Sequence, residues 1–208
     1  MTAQDNAAAT AAPLIRPAAE ADLGAVAAIY AHYVDHTVVT FDETPPPVSF
    51  WRSRLDDLTA RGLPFLVAEE AGGRIAGYAY ASPWRPKPAY RHSVENSVYL
   101  SPERTGRGLG AALMEALVDD CSRAGVHRMI AVVADSGTAG AGPAASLAGS
   151  GTAGAGPAAS LALHRRLGFA EAGRLTSVGR KHGLWLDTVL LQLDLGPGRG
   201  PGGEESAH

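Results

Sequence analysis

The sequence predicts one domain built on a mixed α/β sheet with helices between its strands, and three observations carry that prediction. Apolar residues make up 46% and charged residues 19% of the 208, a globular balance on a chain long enough to bury a full core. Segments of strand periodicity alternate with segments of helical periodicity along most of the length. Two strand pairs are joined by hairpin signals, AGGR and RKHG.

Taken in order, LIRPA reads as a short strand, and Leu23, Val26, Ala27, Tyr30, Tyr33 and Val34 recur at helical spacing over about residues 20–35. VSFWRSRLDDLTARG predicts a second helix with Phe50, Leu55 and Leu58 inward and Gly62 as its stop. PFLVAEE and RIAGYAYAS follow as a hairpin. HSVENSVYL is a strand with Val94, Asn96, Val98 and Leu100 on one face and Ser93, Glu95, Ser97 and Tyr99 on the other. After a glycine-rich turn, Leu109 to Cys121 mark a helix that ends at Gly125. RMIAVVA is a continuous apolar run, as for a buried strand. PAASLALHRRLG predicts a short helix with Pro157 in its first turn and Gly168 at its end, and FAEAGRLTSVG with LWLDTVLLQLDL closes the domain as a hairpin.

Residues 13–195 form the predicted domain, between a disordered segment over 1–12 and a disordered Gly/Pro-rich tail over 196–208. Ser136 to Gly149 and Ser150 to Leu163 are a tandem repeat, identical at 13 of 14 positions. Two copies do not make a solenoid, so the repeat reads as a flexible Gly/Ala spacer running into the last helix, or as a lid over a site. The formal charge of −3 argues against a nucleic-acid surface, and no apolar run is long enough to span a bilayer. The N-terminus has no signal-peptide pattern, so a cytoplasmic protein is expected. The single Cys121 excludes an internal disulfide framework, and no ligand spacing suggests a metal.

The stretch SPERTGRGLGAAL, Ser101 to Leu113, carries the chemistry. A glycine-rich turn feeding a helix N-terminus presents free N–H groups and the positive dipole end to an anion. A nucleoside-triphosphate loop would need Gly-Lys-Ser/Thr, and Gly-Leu-Gly-Ala stands there instead. Gly106, Gly108 and Ala111 fit a dinucleotide fingerprint, with Asp135 placed for a ribose. Against that reading, five residues separate the strand from Gly106, and little chain remains for further βαβ units. The third reading is a longer loop with Arg104 and Arg107, whose backbone amides wrap a pyrophosphate.

The strand ENSVYLSPE, the turn RTGRGLG, the helix after it and the later LALHRRLGF together resemble the GNAT family of acetyl-CoA-dependent N-acetyltransferases. Within that family, AHYVDHTVVTFDETP, PWRPKPAYRHSVENSVYL and VGRKHGLWLDTVLLQLD are similar to phosphinothricin and methionine sulfoximine acetyltransferases, over about Leu14 to Leu195. The resemblance implies the GNAT fold, a mixed and mostly antiparallel sheet flanked by helices, with its central strands splayed. Acetyl-CoA would lie in the splay, its pantetheine arm along the backbone of Val98, Tyr99 and Leu100. Its pyrophosphate would rest on Gly106, Arg107, Gly108, Leu109, Gly110 and Ala111, with Arg104 beside them. A homodimer is implied in the same way.

Amine acetylation needs a base for the substrate ammonium and a group that polarises the thioester or protonates the departing thiolate. By resemblance Glu95 is the base, and burial would raise its pKa toward neutrality. His164 occupies the general-acid position and is expected to donate to the thiolate or to assist Glu95. Arg85 and Lys87, on a proline-stiffened loop, suit an anionic group of the substrate, with Tyr90 adding a hydroxyl. Phe41 and Trp185 are expected as walls of that pocket. The chain departs from the family in having Thr105 for Gln or Arg, Lys87 for Arg, and Pro157 for an asparagine at the start of the last helix. An acetyl-CoA-binding protein without catalysis, a peptide N-terminal acetyltransferase and a dinucleotide enzyme are the other readings.

Overall fold

The protein is described from a computed structural model over residues 12–135 and 156–196. The two predicted disordered segments, the first copy of the repeat and the opening of the second fall almost wholly outside those residues.

Strand β1 (Leu14–Pro17) leads through a short 3-10 turn into α1 (Leu23–His36), which is followed by α2 (Val48–Ala60). A hairpin of β2 (Phe65–Glu69) and β3 (Ile75–Pro83) comes next, turning on Gly72 and Gly73, both at positive φ. Then follow β4 (Ser93–Leu100), α3 (Leu109–Arg123), β5 (Arg128–Asp135), α4 (Pro157–Arg166), β6 (Ala170–Lys181) and β7 (Leu184–Asp194). Among the described residues the strands form one sheet in the order β1-β2-β3-β4-β5-β7-β6, and β4 with β5 is its parallel pair. A mostly antiparallel sheet in this order is not doubly wound, so the dinucleotide reading is excluded. Asp135 there pairs across from Asp187 and holds Arg174 at 2.7 Å.

The two faces of the sheet have separate cores. On one, α1 and α2 bury Leu23, Val26, Tyr30, Trp51 and Leu58 against Phe65, Val67, Tyr78 and Tyr80. On the other, α3 seats Leu113, Met114, Leu117 and Cys121 on the small side chains Ala79 and Ala81. Burial of this order, at roughly 25 cal/mol per Å² of apolar surface, is what holds the helices on the sheet. One core residue was misplaced by sequence reading: Phe50 is 39% exposed, while Trp51 beside it is 1% exposed and touches five rings. Leu55 and Leu58 face the core as expected, and Trp51 takes the place of Phe50 because the aromatic cluster on β3 accepts the larger indole.

The pairing of β4 with β5 is short. It covers Ser93↔Arg128, Val94↔Met129 and Glu95↔Ile130, although β4 continues to Leu100 and β5 to Asp135. β4 stays on β3 over its whole length, and β5 stays on β7. The strands therefore part after Glu95.

Candidate active site

A cleft of about 530 Å³ opens where β4 and β5 part. Its first wall is main chain. Ser101 N–H donates to the Ala76 carbonyl at 2.8 Å and Trp84 N–H to that of Ser93 at 3.1 Å, so odd-numbered residues of β4 face β3. Antiparallel ladders alternate, which turns the N–H and C=O groups of Asn96, Val98 and Leu100 toward the departed β5. The Leu100 carbonyl is taken by the Tyr33 hydroxyl at 2.8 Å, tying α1 to the end of the strand. The remaining groups of Val98 and Leu100 offer a strand-like edge to an extended chain in the cleft. Facing them, Ala131 to Ala134 of β5 form the second wall, with Val132 39% exposed.

The floor is the start of α3. Gly106 and Gly108 have φ of 73° and 80°, a left-handed backbone that favours glycine, and Gly108 is the N-cap. Gly106, Gly108, Gly110 and Ala111 line the cleft here, and because the Ala111 N–H is taken by the Gly108 carbonyl at 3.0 Å, the amides that open on it are those before Ala111. α4 closes the far side with Gly156, Pro157, Ser160 and His164.

Two side chains at the vertex differ in face. Glu95 stands on the α1/α2 side with Ser97 and Tyr99, and Asn96 on the α3/α4 side with Val94 and Val98. The Glu95 carboxylate is half-buried, lines the cleft, and makes no hydrogen bond with a described residue. Burial pushes its carboxyl above the ordinary range, with Arg85 and Arg54 opposing. His164 is 2% exposed and hydrogen-bonded at both ring nitrogens, Nε2 to Asn96 Nδ2 at 2.9 Å and Nδ1 to the Ser160 carbonyl at 2.8 Å. Burial lowers its pKa. Glu95 and His164 share the cleft and make no contact with each other, since they approach from opposite faces of the sheet.

Of the residues predicted to hold the donor, Val98, Tyr99, Leu100, Gly106, Gly108, Gly110 and Ala111 line the cleft. Three do not. Arg104 lies 2.8 Å from the Glu70 carboxylate, on the β2–β3 turn. Leu109 is a core side chain, 8% exposed, that can contribute only its amide. Arg107 is exposed outside the lining. Arg85, Lys87 and Tyr90 sit on the exposed loop after β3, and Arg85 stacks over Trp84 at 4.6 Å. Phe41 and Trp185 stand outside the cleft lining, Phe41 with its ring against Gly179. Cys121 is buried and its thiol is pushed up to about 12, chiefly by that burial, so it is no nucleophile.

Sequence reading missed Arg54 and Asn96. Arg54 looks like one more polar position of α2, yet its guanidinium lies 5.1 Å from the Phe50 ring and 5.2 Å from that of Tyr80 and acts on Glu95. The signal for Asn96 was available: a lone amide among Val94, Val98 and Leu100 on an apolar face demands a partner.

The model of the acetyltransferase (GNAT) family matches residues 26–141, more than half of the chain. The chain belongs to the GNAT acetyltransferase family. It is 40% identical over 184 residues to phosphinothricin N-acetyltransferase of Alcaligenes faecalis, covering 88% of this chain and 83% of that one. It is 37% identical over 185 residues to L-methionine sulfoximine/L-methionine sulfone acetyltransferase of Pseudomonas aeruginosa, covering 89% and 96%. Among solved structures it is similar to a GNAT phosphinothricin acetyltransferase of Sinorhizobium meliloti in complex with acetyl-CoA, with a TM-score of 0.75, 39% identity, and coverage of 95% and 96%. The splayed sheet is thus a GNAT sheet, and this chain is a GNAT acetyltransferase. Among the described residues no group of acidic, cysteine and histidine side chains is disposed to hold a metal ion, and no helix is long and apolar enough to cross a membrane.

Proposed function

We propose that this enzyme transfers the acetyl group of acetyl-CoA to the amino group of a small amino-acid-like substrate of the phosphinothricin or methionine sulfoximine type. The names of the relatives point to that substrate class, and the cationic loop with Arg85 suits its anionic group. The observation that carries the chemistry is Glu95, a desolvated and unpartnered carboxylate at the point where β4 and β5 part.

Each residue has a task in this reading. Acetyl-CoA, when bound, supplies the activated acyl group. The open edges of Val98 and Leu100, with Tyr99 between them, pair with its extended arm, and the amides over Gly106 to Gly110 receive its pyrophosphate. Arg85, Lys87 and Tyr90 hold the acceptor's anionic group on the other side of the sheet. Glu95, directly or through water, takes the proton the acceptor ammonium must lose. The freed lone pair attacks the thioester carbonyl carbon, the C–N bond forms, the C–S bond breaks with its electron pair going to sulfur, and the extra proton left on nitrogen passes to the thiolate or to solvent. His164 enters as a neutral, fully hydrogen-bonded group and not as the acid, because neither ring nitrogen has a proton free for the thiolate. The same reading includes a cytoplasmic location, and a homodimer supported by the resemblance alone.

One observation favours a second reading. Pro157 lies at the first position of α4 on the cleft, where the resembling enzymes carry an asparagine, so the cleft could bind acetyl-CoA without turnover. Coenzyme A release from acetyl-CoA decides between them, with phosphinothricin, methionine sulfoximine, plain amino acids and a peptide as acceptors. Turnover with an amino-acid analogue that Glu95→Gln abolishes supports the enzyme reading. Binding of acetyl-CoA without release supports the second, and a preference for the peptide overturns the substrate class.

A further inference from the structure

The Asn96–His164 pair lies at the vertex of the splay, and its hydrogen bonds leave little freedom of assignment. The Ser160 carbonyl can only accept, so the nitrogen 2.8 Å from it, His164 Nδ1, carries a proton. The other nitrogen, Nε2, faces the Asn96 amide at 2.9 Å. Were the amide turned so that its oxygen met Nε2, both ring nitrogens would need protons. That would leave an imidazolium 2% exposed, with no carboxylate against it among the described residues. The Asn96 amine also lies 3.5 Å from Met114 Sδ, an acceptor that likewise calls for N–H. Both contacts fix the same orientation, with Nδ2 donating to Nε2. The ring is held further by the edge of Phe169, at 4.9 Å and 89°.

Location gives this bond its meaning. Asn96 is the first residue of β4 beyond the last pair with β5, Glu95↔Ile130. His164 belongs to α4, which packs on the β5 side of the cleft. Where the strands stop pairing, the side-chain bond takes over and joins the two halves of the sheet. In the sequence α4 is separated from β5 by the residues of the tandem repeat, so the chain connection alone does not fix where α4 sits.

We propose that Asn96 is a positioning residue, whose amide donates to His164 Nε2, keeps that nitrogen unprotonated, and so pins α4 to β4 at the head of the cleft. His164 then sets the width of the donor site and gives no proton to the leaving group. The inference about the donor rests on the functional reading above; the tautomer does not.

The test is 15N NMR of the full chain labelled at histidine, with the His164 signals assigned by their loss in His164→Gln. At neutral pH the expected result is a protonated Nδ1 and an unprotonated Nε2, unchanged when acetyl-CoA is added. An Nε2–H tautomer or an imidazolium overturns the proposal. In Asn96→Leu, Nδ1 is expected to stay protonated on the Ser160 carbonyl while the Nε2 signal shifts with the loss of its donor, and the KM for acetyl-CoA to rise by about tenfold or more. An unaltered His164 spectrum in that variant also overturns it. Kinetics supply the last arm: His164→Gln should keep the shape of the pH profile of kcat/KM, and the loss of an alkaline limb would mark His164 as a proton donor and sink the idea. Should no acceptor turn over, the functional reading fails, while the wild-type spectrum still decides the tautomer.

Discussion

Glu95 is held in a state that opposes its own ionisation, and this has two opposite consequences. Its pKa is raised by desolvation, so the base form is lost at a higher pH than for an ordinary glutamate. The acid limb of kcat/KM should therefore lie above the usual carboxylate range, and Glu95→Gln should lower kcat by about 10²–10⁴-fold. Arg85 and Arg54 both pull that pKa down. Arg54→Gln should accordingly move the acid limb to higher pH; a limb that stays put in pH–rate measurements would show that Arg54 is not coupled to the base. For stability the sign is reversed. A carboxyl whose native pKa lies above its unfolded value stabilises only while protonated, and that contribution disappears as pH rises through the native pKa. Glu95→Gln should thus melt higher than the wild type at neutral pH, with the gap closing on acidification. A variant both dead and more stable would be the signature of a strained functional group.

At the scale of elements, strands and helices were legible where periodicity was long, and the misreadings have local causes. The hairpins were marked by their turns, and His182 and Gly183 take φ of 49° and 81°, the double left-handed turn that suits tight two-residue loops. On α2, Leu55 and Leu58 were placed correctly and Phe50 was not, because Phe50 and Trp51 are adjacent aromatics and only the rings of β3 decide between them. Arg104 was assigned to the pyrophosphate by its place in the turn, whereas its partner Glu70 comes from a distant hairpin that no local pattern reveals. Contacts between elements are equally testable. Lys181, 3% exposed, donates to the Thr40 carbonyl at 2.9 Å, and a Cβ on Gly179 would come within 2.5 Å of the Phe41 ring. The end of β6 thus holds the loop that follows α1. Gly179→Ala should displace the exposed ring at little cost in melting temperature, and raise the KM for the amine without changing that for acetyl-CoA. Equal changes in both KM values would show that the loop does not serve the acceptor side.

On the scale of the molecule, the sheet consists of two antiparallel halves, β1 to β4 and β5 to β7, joined by a short parallel seam. In the proposed reading the donor site is the gap left when that seam ends. Its existence could be inferred from the sequence only through resemblance, since nothing in the composition of β4 or β5 says where pairing stops. In the chain the repeat lies between β5 and α4, and the end of its second copy is the first part of α4. Removing Ser136 to Gly149 shortens the connection by 14 residues, and loop-closure entropy changes by no more than about 1 kcal/mol. The deletion is expected to shift the denaturation midpoint only slightly, and to leave the acetyl-CoA affinity within a few-fold of the wild type by calorimetry. A large gain in affinity would instead identify the repeat as an obstruction.

The opposite facing of Glu95 and Asn96 imposes a rule of parity on the strand that carries them. Each is useful only on its own side, one toward the amine and the other toward α4, and a strand assigns sides by counting. A single residue inserted or lost between the start of β4 and Glu95 would exchange them, turning the acid into an apolar core and the amide toward the acceptor. Length changes in that segment can survive only in twos, so descendants of this sequence should differ there by substitution and almost never by an odd gap.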